Sequence, residues 1–594
     1  MRKIIVTGIV ILTVTGLLLN HMRACAEPNH TAIFVAGQKT YTADGMAKTM
    51  DAETFIDNNR AYVPMRYLAV SLGVAEENII WSASAQSVTL TLDEVTVTAA
   101  IGGSNMYIND RLIIMDAAPA LKDNRAYLPA RYIAEAFGYT VGWDQATQSV
   151  LIGPRGKLPQ QSALPSVGSY ENLKELLENG PSRYNEGFDM NTDSVPLRAT
   201  QKNSAQAEAP QAVAGDDSNA DYSRTNVQVA GVDEADIVKT DGNYIYQVNK
   251  ERIVIAKAYP PGEMSVVSTL NYADKEFSPA EIYVDDTHLV VIGSARRYYP
   301  PVYKMNTGIA ADIMPPYHYR GDNAKAIIYN IEDKSNIKQV RELELGGSYV
   351  SSRKTGSSLY LIANKSIYYY PGREIDEPKP MYRDTAAGGG FVEIDYPDIK
   401  CFPDFTDPSY LIAAGLNLDR PDEKASVSSY LGSGRNIYAS TDNLYVAVTS
   451  YGRGPVIPLM RAEIWPPYDI GKTKIYKFGM DGGRLTYKAG GEAPGTILNQ
   501  FSMDEHNGYF RIATTRGEAW RSDERAPKNN VYVLDSSLNI IGKIEGIAPG
   551  ETIYSVRFAG DRAYMVTFKN VDPFFVLDLH DPQNPAILGK LKIP

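Results

Sequence analysis

The 594-residue sequence is poor in cysteine, in histidine and in long apolar runs. Two cysteines, Cys25 and Cys401, cannot build a disulfide framework or a multi-cysteine metal site. The histidines beyond residue 26 (His30, His288, His318, His506 and His580) stand far apart, so a histidine metal centre would need assembly from distant segments. No Gly-x-Ser-x-Gly elbow, no Gly-Lys-Ser/Thr phosphate loop, no Gly-x-Gly-x-x-Gly and no His-Glu-x-x-His occurs, which removes the usual signatures of hydrolases and nucleotide binders. Basic residues number 59 against 70 acidic ones and form no run, so nucleic acid and anionic lipid are poor partners. After the first 19 residues nothing approaches the ~20 apolar residues of a membrane-spanning helix.

What is abundant is strand and turn material: 44% hydrophobic and 10% aromatic residues, with 40 Tyr, 47 Gly and 35 Pro, describe a folded, turn-rich chain too long for one compact core. Arg2 and Lys3 precede an uncharged stretch from Ile4 to Leu19, and the small residues Ala24-Cys25-Ala26 follow at cleavage-site spacing, so residues 1–26 read as a signal peptide and the mature protein as exported. Cys25 offers a lipoprotein anchor as the other outcome, but Arg23 just ahead of it fits that motif poorly and cleavage after Ala26 is preferred. Cleavage removes three basic residues and no acid, leaving 56 against 70 and a charge of −14.

The segment Asn59-Arg60-Ala61-Tyr62-Val63-Pro64-Met65-Arg66-Tyr67-Leu68-Ala69 recurs as Asn124-Arg125-Ala126-Tyr127-Leu128-Pro129-Ala130-Arg131-Tyr132-Ile133-Ala134. Each copy runs on to a glycine (Gly73, Gly138), a tryptophan (Trp81, Trp143) and Gln-Ser-Val. Proline at a helix start, glycine at its end and an apolar stripe between them predict one short helix per copy, packed on a small sheet. The expected arrangement is two helix-on-sheet modules. On these residues, 31–153 resembles the copper amine oxidase-like N-terminal, or stalk, domain of exported bacterial proteins. That resemblance implies a non-catalytic role, and with only His30 at its edge the stretch has no copper ligands to offer. Trp81 and Trp143 are expected in the core rather than as sugar platforms, because they occupy matched positions of a duplicated fold.

Residues 154–224, rich in Pro, Ser, Asn, Gln and Ala, read as a flexible linker carrying one short helix at 168–179. From residue 225 to 594 short alternating strands recur behind polar turns: Asp241-Gly242-Asn243, Asp285-Asp286-Thr287, Gly356-Ser357-Ser358, Thr441-Asp442-Asn443, His506-Asn507-Gly508 and Gly560-Asp561-Arg562. Repeats that cannot bury both faces alone indicate a β-propeller, giving a mainly β fold of about six or more blades behind a small duplicated α+β domain. The ring either continues past the sixth repeat or closes there, with Asn226 to Val229 completing the last blade. Two insertions, Ala295 to Asn323 and Tyr368 to Gly390, read as projecting loops. The segments Asn226 to Gly242, Phe501 to Glu505, Arg511 to Thr515 and Tyr554 to Phe558 resemble the secreted bacterial family whose C-terminal β-propeller is distantly related to WD40 repeats.

Candidate chemistry is sparse. Asp233, Glu234, Asp236 and Asp241 could supply oxygen ligands to calcium, but without calcium-loop spacing they are expected to face water or cap turns, and no cofactor is expected. Asp504 and Glu505, adjacent on a strand, should point to opposite faces rather than form an acid–base pair. Cys401 is expected to be a buried thiol. Tyr298, Tyr299, Tyr317, His318, Tyr368, Tyr369 and Tyr370 could form an aromatic recognition surface for a protein or a cell-wall glycan. The favoured function is therefore macromolecular binding or adhesion at the bacterial cell envelope without catalysis. The alternative is an extracellular carbohydrate-active or lactone-cleaving enzyme with a calcium or carboxylate site in the propeller channel.

Overall fold

The computed structural model describes residues 28–593 except 145–147, 160–163, 180–226, 274–275, 299–319, 370–373, 376–378, 406, 453–468, 518–522, 524 and 569–571. The leader with Cys25, most of the linker, and Tyr299, Tyr317, His318 and Tyr370 lie outside the described residues. The chain divides into two compact units, Met1–Asn179 and Gly180–Pro594.

In the first unit the duplicated sequence does form two matched helices, Met65–Ser71 and Ala130–Ala136, each preceded directly by its proline. Gly73 and Gly138 take φ of +90° and +85° just beyond the helix ends. Leu68 and Ile133 are fully buried at equivalent positions. The sheets correct the expectation of two side-by-side modules. Strand Ala32–Val35, which Thr40–Ala43 and Met46–Thr49 extend on one side, pairs on its other side not with a strand of its own repeat but with Ser149–Gly153, in the register Ala32↔Ile152 and Phe34↔Val150. Conversely, Ser87–Leu92 of the first copy pairs with Val95–Ala100 of the second. Strands Arg60–Pro64 and Arg125–Pro129 pair antiparallel with each other. The halves are thus interlocked. The same exchange recurs in the ion pairs: Arg60 reaches Asp116 and Arg125 reaches Asp51, while Asp116 and Asp51 donate their backbone N–H to Tyr132 and Tyr67. Hydrogen bonds from Arg60 and Tyr132 hold the Asp116 carboxyl down at about 2.

Trp81 and Trp143 are not core residues; both are 39% exposed. The reason is sheet order, since Ile79–Ser82 and Thr140–Asp144 are edge strands of the two five-stranded sheets. The helix expected at 168–179 forms over Tyr170–Asn179 and packs onto this unit by its apolar face: Leu173, Leu176 and Leu177 are buried, and Asn172 donates to the carbonyls of Ala47 and Val167.

Among the described residues, the second unit holds six largely antiparallel sheets in chain order, beginning at Val238, Phe277, Ser348, Asn436, Met503 and Thr552. They pack face to face through buried cores, from Tyr246 and Ile253 with Leu289 and Val291, to Ala513 and Val531 with Ala563 and Met565. Two of the polar turns that marked the repeat share one device. Asp241 accepts from the N–H groups of Asn243 and Tyr244, and Asp285 from those of Thr287 and His288, so each carboxylate closes the turn that launches the second strand.

The insertions are only partly loops. In the first, Ala295 to Tyr298 and Arg320 to Asn323 continue the hairpin of His288–Tyr298 with Arg320–Asn330. In the second, Met381–Asp384 and Phe391–Glu393 extend the second sheet along its outer edge, where the ladder offers unpaired backbone groups. Cys401 is buried on the short strand Ile399–Cys401, which adds parallel to the third sheet, and burial pushes its thiol pKa up. Asn226 lies outside the described residues, and Gln228 and Val229 belong to no strand, so this segment does not complete a last blade.

Candidate functional site

The segment 227–237 instead runs along the first strands of successive sheets, which in a propeller line the hub. The Gln228 side chain donates to the carbonyl of Met503 at 3.1 Å, and Val229 packs into the core between the fourth and fifth sheets. Gly231, at φ +85°, turns the chain. Asp233 then exchanges two backbone hydrogen bonds with Lys354 of the third sheet, and Asp236 two with Ile282 of the second.

The acids of this segment are met by cations of the chain itself. Lys239, 6% exposed, donates to the Asp233 carboxylate at 2.7 Å and to the Glu234 carbonyl at 2.6 Å. Glu234 lies 3.8 Å from Arg353, whose guanidinium also donates to the carbonyls of Ser352 and Ile437 and to the Gln500 side chain. Arg353 thereby ties three sheets together at the hub. Burial raises the nearby Glu281 carboxyl, while a hydrogen bond from Tyr349 and the charge of Arg353 oppose that rise. Asp236 accepts from the N–H of Ile237, and Asp241 is engaged by its turn and by the Tyr246 hydroxyl. Among the described residues no three His, Cys, Asp or Glu side chains stand where they could hold a metal ion. Replacing Lys239 by methionine is expected to cost about 1–3 kcal/mol, because Asp233 is left half-buried without its cation. Chemical denaturation of wild type and variant measures it.

Asp504 and Glu505 point to opposite faces and act as clamps between sheets. Asp504 pairs with Arg511, which reaches the Gly560 carbonyl of the sixth sheet. Glu505 accepts from Ser440, Asn443 and Lys477 of the fourth. Neither pairs with another acid.

Of the tyrosine surface, Tyr298 ends a strand opposite Arg320, Tyr368 is 45% exposed and its neighbour Tyr369 is turned inward and buried. Tyr368 is thus the one side chain of that set described as exposed. Two groupings escaped the sequence. His506 and His580 both reach Asp561, at 3.2 and 3.3 Å, an exposed meeting of the fifth and sixth sheets that only tertiary assembly creates. In the first unit, Trp143, Tyr132, Arg131 and Asn59 line an open cavity of about 470 Å³. No sequence signal pointed to it, because the exposure of Trp143 follows from its strand ending the sheet.

Comparison with known proteins places these features. Residues 222–594 match the beta propeller domain, and residues 20–77 and 42–152 match the copper amine oxidase N-terminal domain. An uncharacterized protein of Methanocaldococcus jannaschii is 29% identical over 495 residues, covering 72% of this chain and 70% of its own. An uncharacterized protein of Archaeoglobus fulgidus is 31% identical over 443 residues, covering 63% of this chain, and this chain spans just 64% of that relative's length. Among solved structures, Kluyvelomyces marxianus Hsv2 aligns over 60% of this chain and 78% of that one at 8% identity and a TM-score of 0.26, too slight a likeness to bear on function. With well over half its length matched, the chain belongs to the beta propeller domain family.

Proposed function

We infer that the protein is exported and serves at the cell envelope as a non-enzymatic binding module, its propeller taking a protein partner and its stalk-like unit a glycan. The observation that carries this reading is the hub. There the chain's own residues 227–237 lie across the first strands, with Asp233 and Glu234 engaged by Lys239 and Arg353, so the acids are spent on structure. A rigid stack of sheets carrying exposed Tyr368 suits protein recognition, and an exposed indole beside Tyr132 and Arg131 suits stacking on a sugar ring. Export rests on the leader of residues 1–26.

The test is retention of envelope proteins and of purified cell-wall glycan on the immobilised mature chain. Tyr368→Ala is expected to weaken protein retention about tenfold, and Trp143→Ala glycan retention by about as much, with each variant's stability within about 0.5 kcal/mol of wild type. Undiminished retention in both variants, or turnover of an offered glycan or lactone by the wild type, would sink the reading.

A further inference from the structure

The cavity at Trp143 belongs to both copies of the duplicated sequence: Asn59 and Arg60 come from the first, and Arg131, Tyr132 and Gln148 from the second. A local two-fold axis relates the copies. Strands Arg60–Pro64 and Arg125–Pro129 pair as Tyr62↔Pro129, Val63↔Leu128 and Pro64↔Tyr127, a register that exchanging the copies leaves unchanged. The same exchange turns the Arg60–Asp116 pair into Arg125–Asp51, each with a hydrogen bond of 3.0 Å from Nε. It also turns the bond that Tyr132 accepts from Asp116 into the one that Tyr67 accepts from Asp51. Trp143 lies opposite Val150 and Trp81 opposite Val88, each on an edge strand, and the two indoles are equally exposed. The backbone follows suit, since Asn59 and Asn124 both take φ of +60°, and Gln86 and Gln148 take +43° and +52°.

What surrounds Trp143 is therefore present a second time around Trp81, with Asn124 and Arg125 now from the second copy and Arg66, Tyr67 and Gln86 from the first. The two linings differ only where Leu121 stands for Ile56, Met65 for Ala130, Ile79 for Val141 and Ile80 for Gly142, exchanges that leave every polar group in place. The last of these is compensated, because Leu158 lies 2.6 Å from where a Cβ on Gly142 would stand and supplies the aliphatic group that Ile80 carries itself. Met65, larger than Ala130, makes the Trp81 side shallower. Each set offers an exposed indole for the apolar face of a sugar ring and an exposed guanidinium, Arg131 or Arg66, whose donors suit the ring's oxygens. Neither lining contains an acid.

We propose that the first unit carries two matched sugar sites, one at Trp143 and one at Trp81, and that its ligand is a glycan polymer of repeating sugar units rather than a single sugar. This rests on the glycan reading of the Trp143 cavity given above and adds to it the second site and the polymeric class of the ligand. A polymer of like rings presents the same face many times over, so one wall glycan, or neighbouring strands of it, fills both sites. Once the first contact is made, the second forms at high local concentration, and the pair holds the polymer far more tightly than either site alone.

In the test, the mature full chain and its variants are titrated with short oligosaccharides cut from purified cell-wall glycan and, separately, pelleted with the intact glycan. Calorimetry is expected to count two oligosaccharides per wild-type chain and one for each of Trp81→Ala and Trp143→Ala. On the intact polymer each single variant should bind about tenfold more weakly than wild type, and the double variant about a hundredfold more weakly. Arg66→Ala, on the exposed side of its helix, leaves the edge strand untouched and should weaken the Trp81 site about threefold, so that site is read even if the tryptophan variant unfolds. A wild type that takes one oligosaccharide, or Trp81→Ala and Arg66→Ala proteins that match it, overturns the second site while the Trp143 site stands. A wild type that takes up no glycan, or a Trp143→Ala protein unchanged from it, removes the reading on which this one rests.

Discussion

An Arg341→Ala protein is expected to lose about 3–5 kcal/mol of stability. Arg341 and Asp384 are 2% and 0% exposed, and two parallel hydrogen bonds of 3.0 and 2.7 Å join them. Asp384 also accepts from the N–H groups of Ala386 and Ala425, so one carboxylate fastens the inserted strand Met381–Asp384 to the second sheet and gathers the approach to Ser426–Leu431 of the third. Truncating the arginine leaves that charge buried and unpaired. Replacing both partners with leucine should recover part of the loss but not all, because the two N–H groups still need an acceptor. The effect has a definite pH course. Burial alone would raise the Asp384 carboxyl, but the hydrogen bonds and charge of Arg341 outweigh it and hold the carboxyl below its ordinary range. A depressed folded-state value gives stability that is complete above the unfolded carboxylate value, about 3.9, and is lost as pH falls through the lower folded value. The gap between wild type and variant, read by denaturant titration, should therefore be widest near neutrality and shrink in acid.

Phe34→Ala is expected to cost a comparable 3–5 kcal/mol, and to loosen both halves of the first unit rather than one. Phe34 is fully buried, stacks on Tyr41 at 4.9 Å and lies opposite Val150 of the second copy. A chain lacking residues 28–49 loses three of the five strands in that sheet and leaves Ser149–Gly153 paired on one side only, with Thr140–Asp144. Limited proteolysis should then cut freely through residues 50–179. Survival of a resistant fragment starting near residue 59 would show that each copy folds alone and would contradict the interlocked pairing.

The reach of the sequence can be judged from these elements. The duplicated helices and the six sheets were legible because their signals are local: proline before a helix, glycine after it, and an aspartate that closes a turn two or three residues on. The interlocked sheets were not, because Ala32↔Ile152 is a register between distant strands that each look complete in their own copy. Trp81 and Trp143 were misplaced for the same reason, since their burial depends on which strand ends the sheet. Asn226 to Val229 read as a closing strand for a ring that ends at the sixth repeat, although Gly231 and the backbone pairing of Asp233 and Asp236 carry the chain along the hub instead. The opposed orientation of Asp504 and Glu505 follows from strand alternation alone and needed no tertiary information. The cluster of His506, Asp561 and His580 was not legible, because only tertiary assembly brings its three members together.

Gln228 and Met503 are separated by 275 positions, yet they touch. During synthesis the opening stretch of this unit therefore leaves the ribosome long before its resting place exists, and must wait while five sheets are made. Loop closure over that distance is costly and slow, so the final cinching of the hub should be a late event that locks sheets already assembled. A chain interrupted before its fifth sheet would keep Gln228 and Val229 loose, and quality-control proteases would meet it there first.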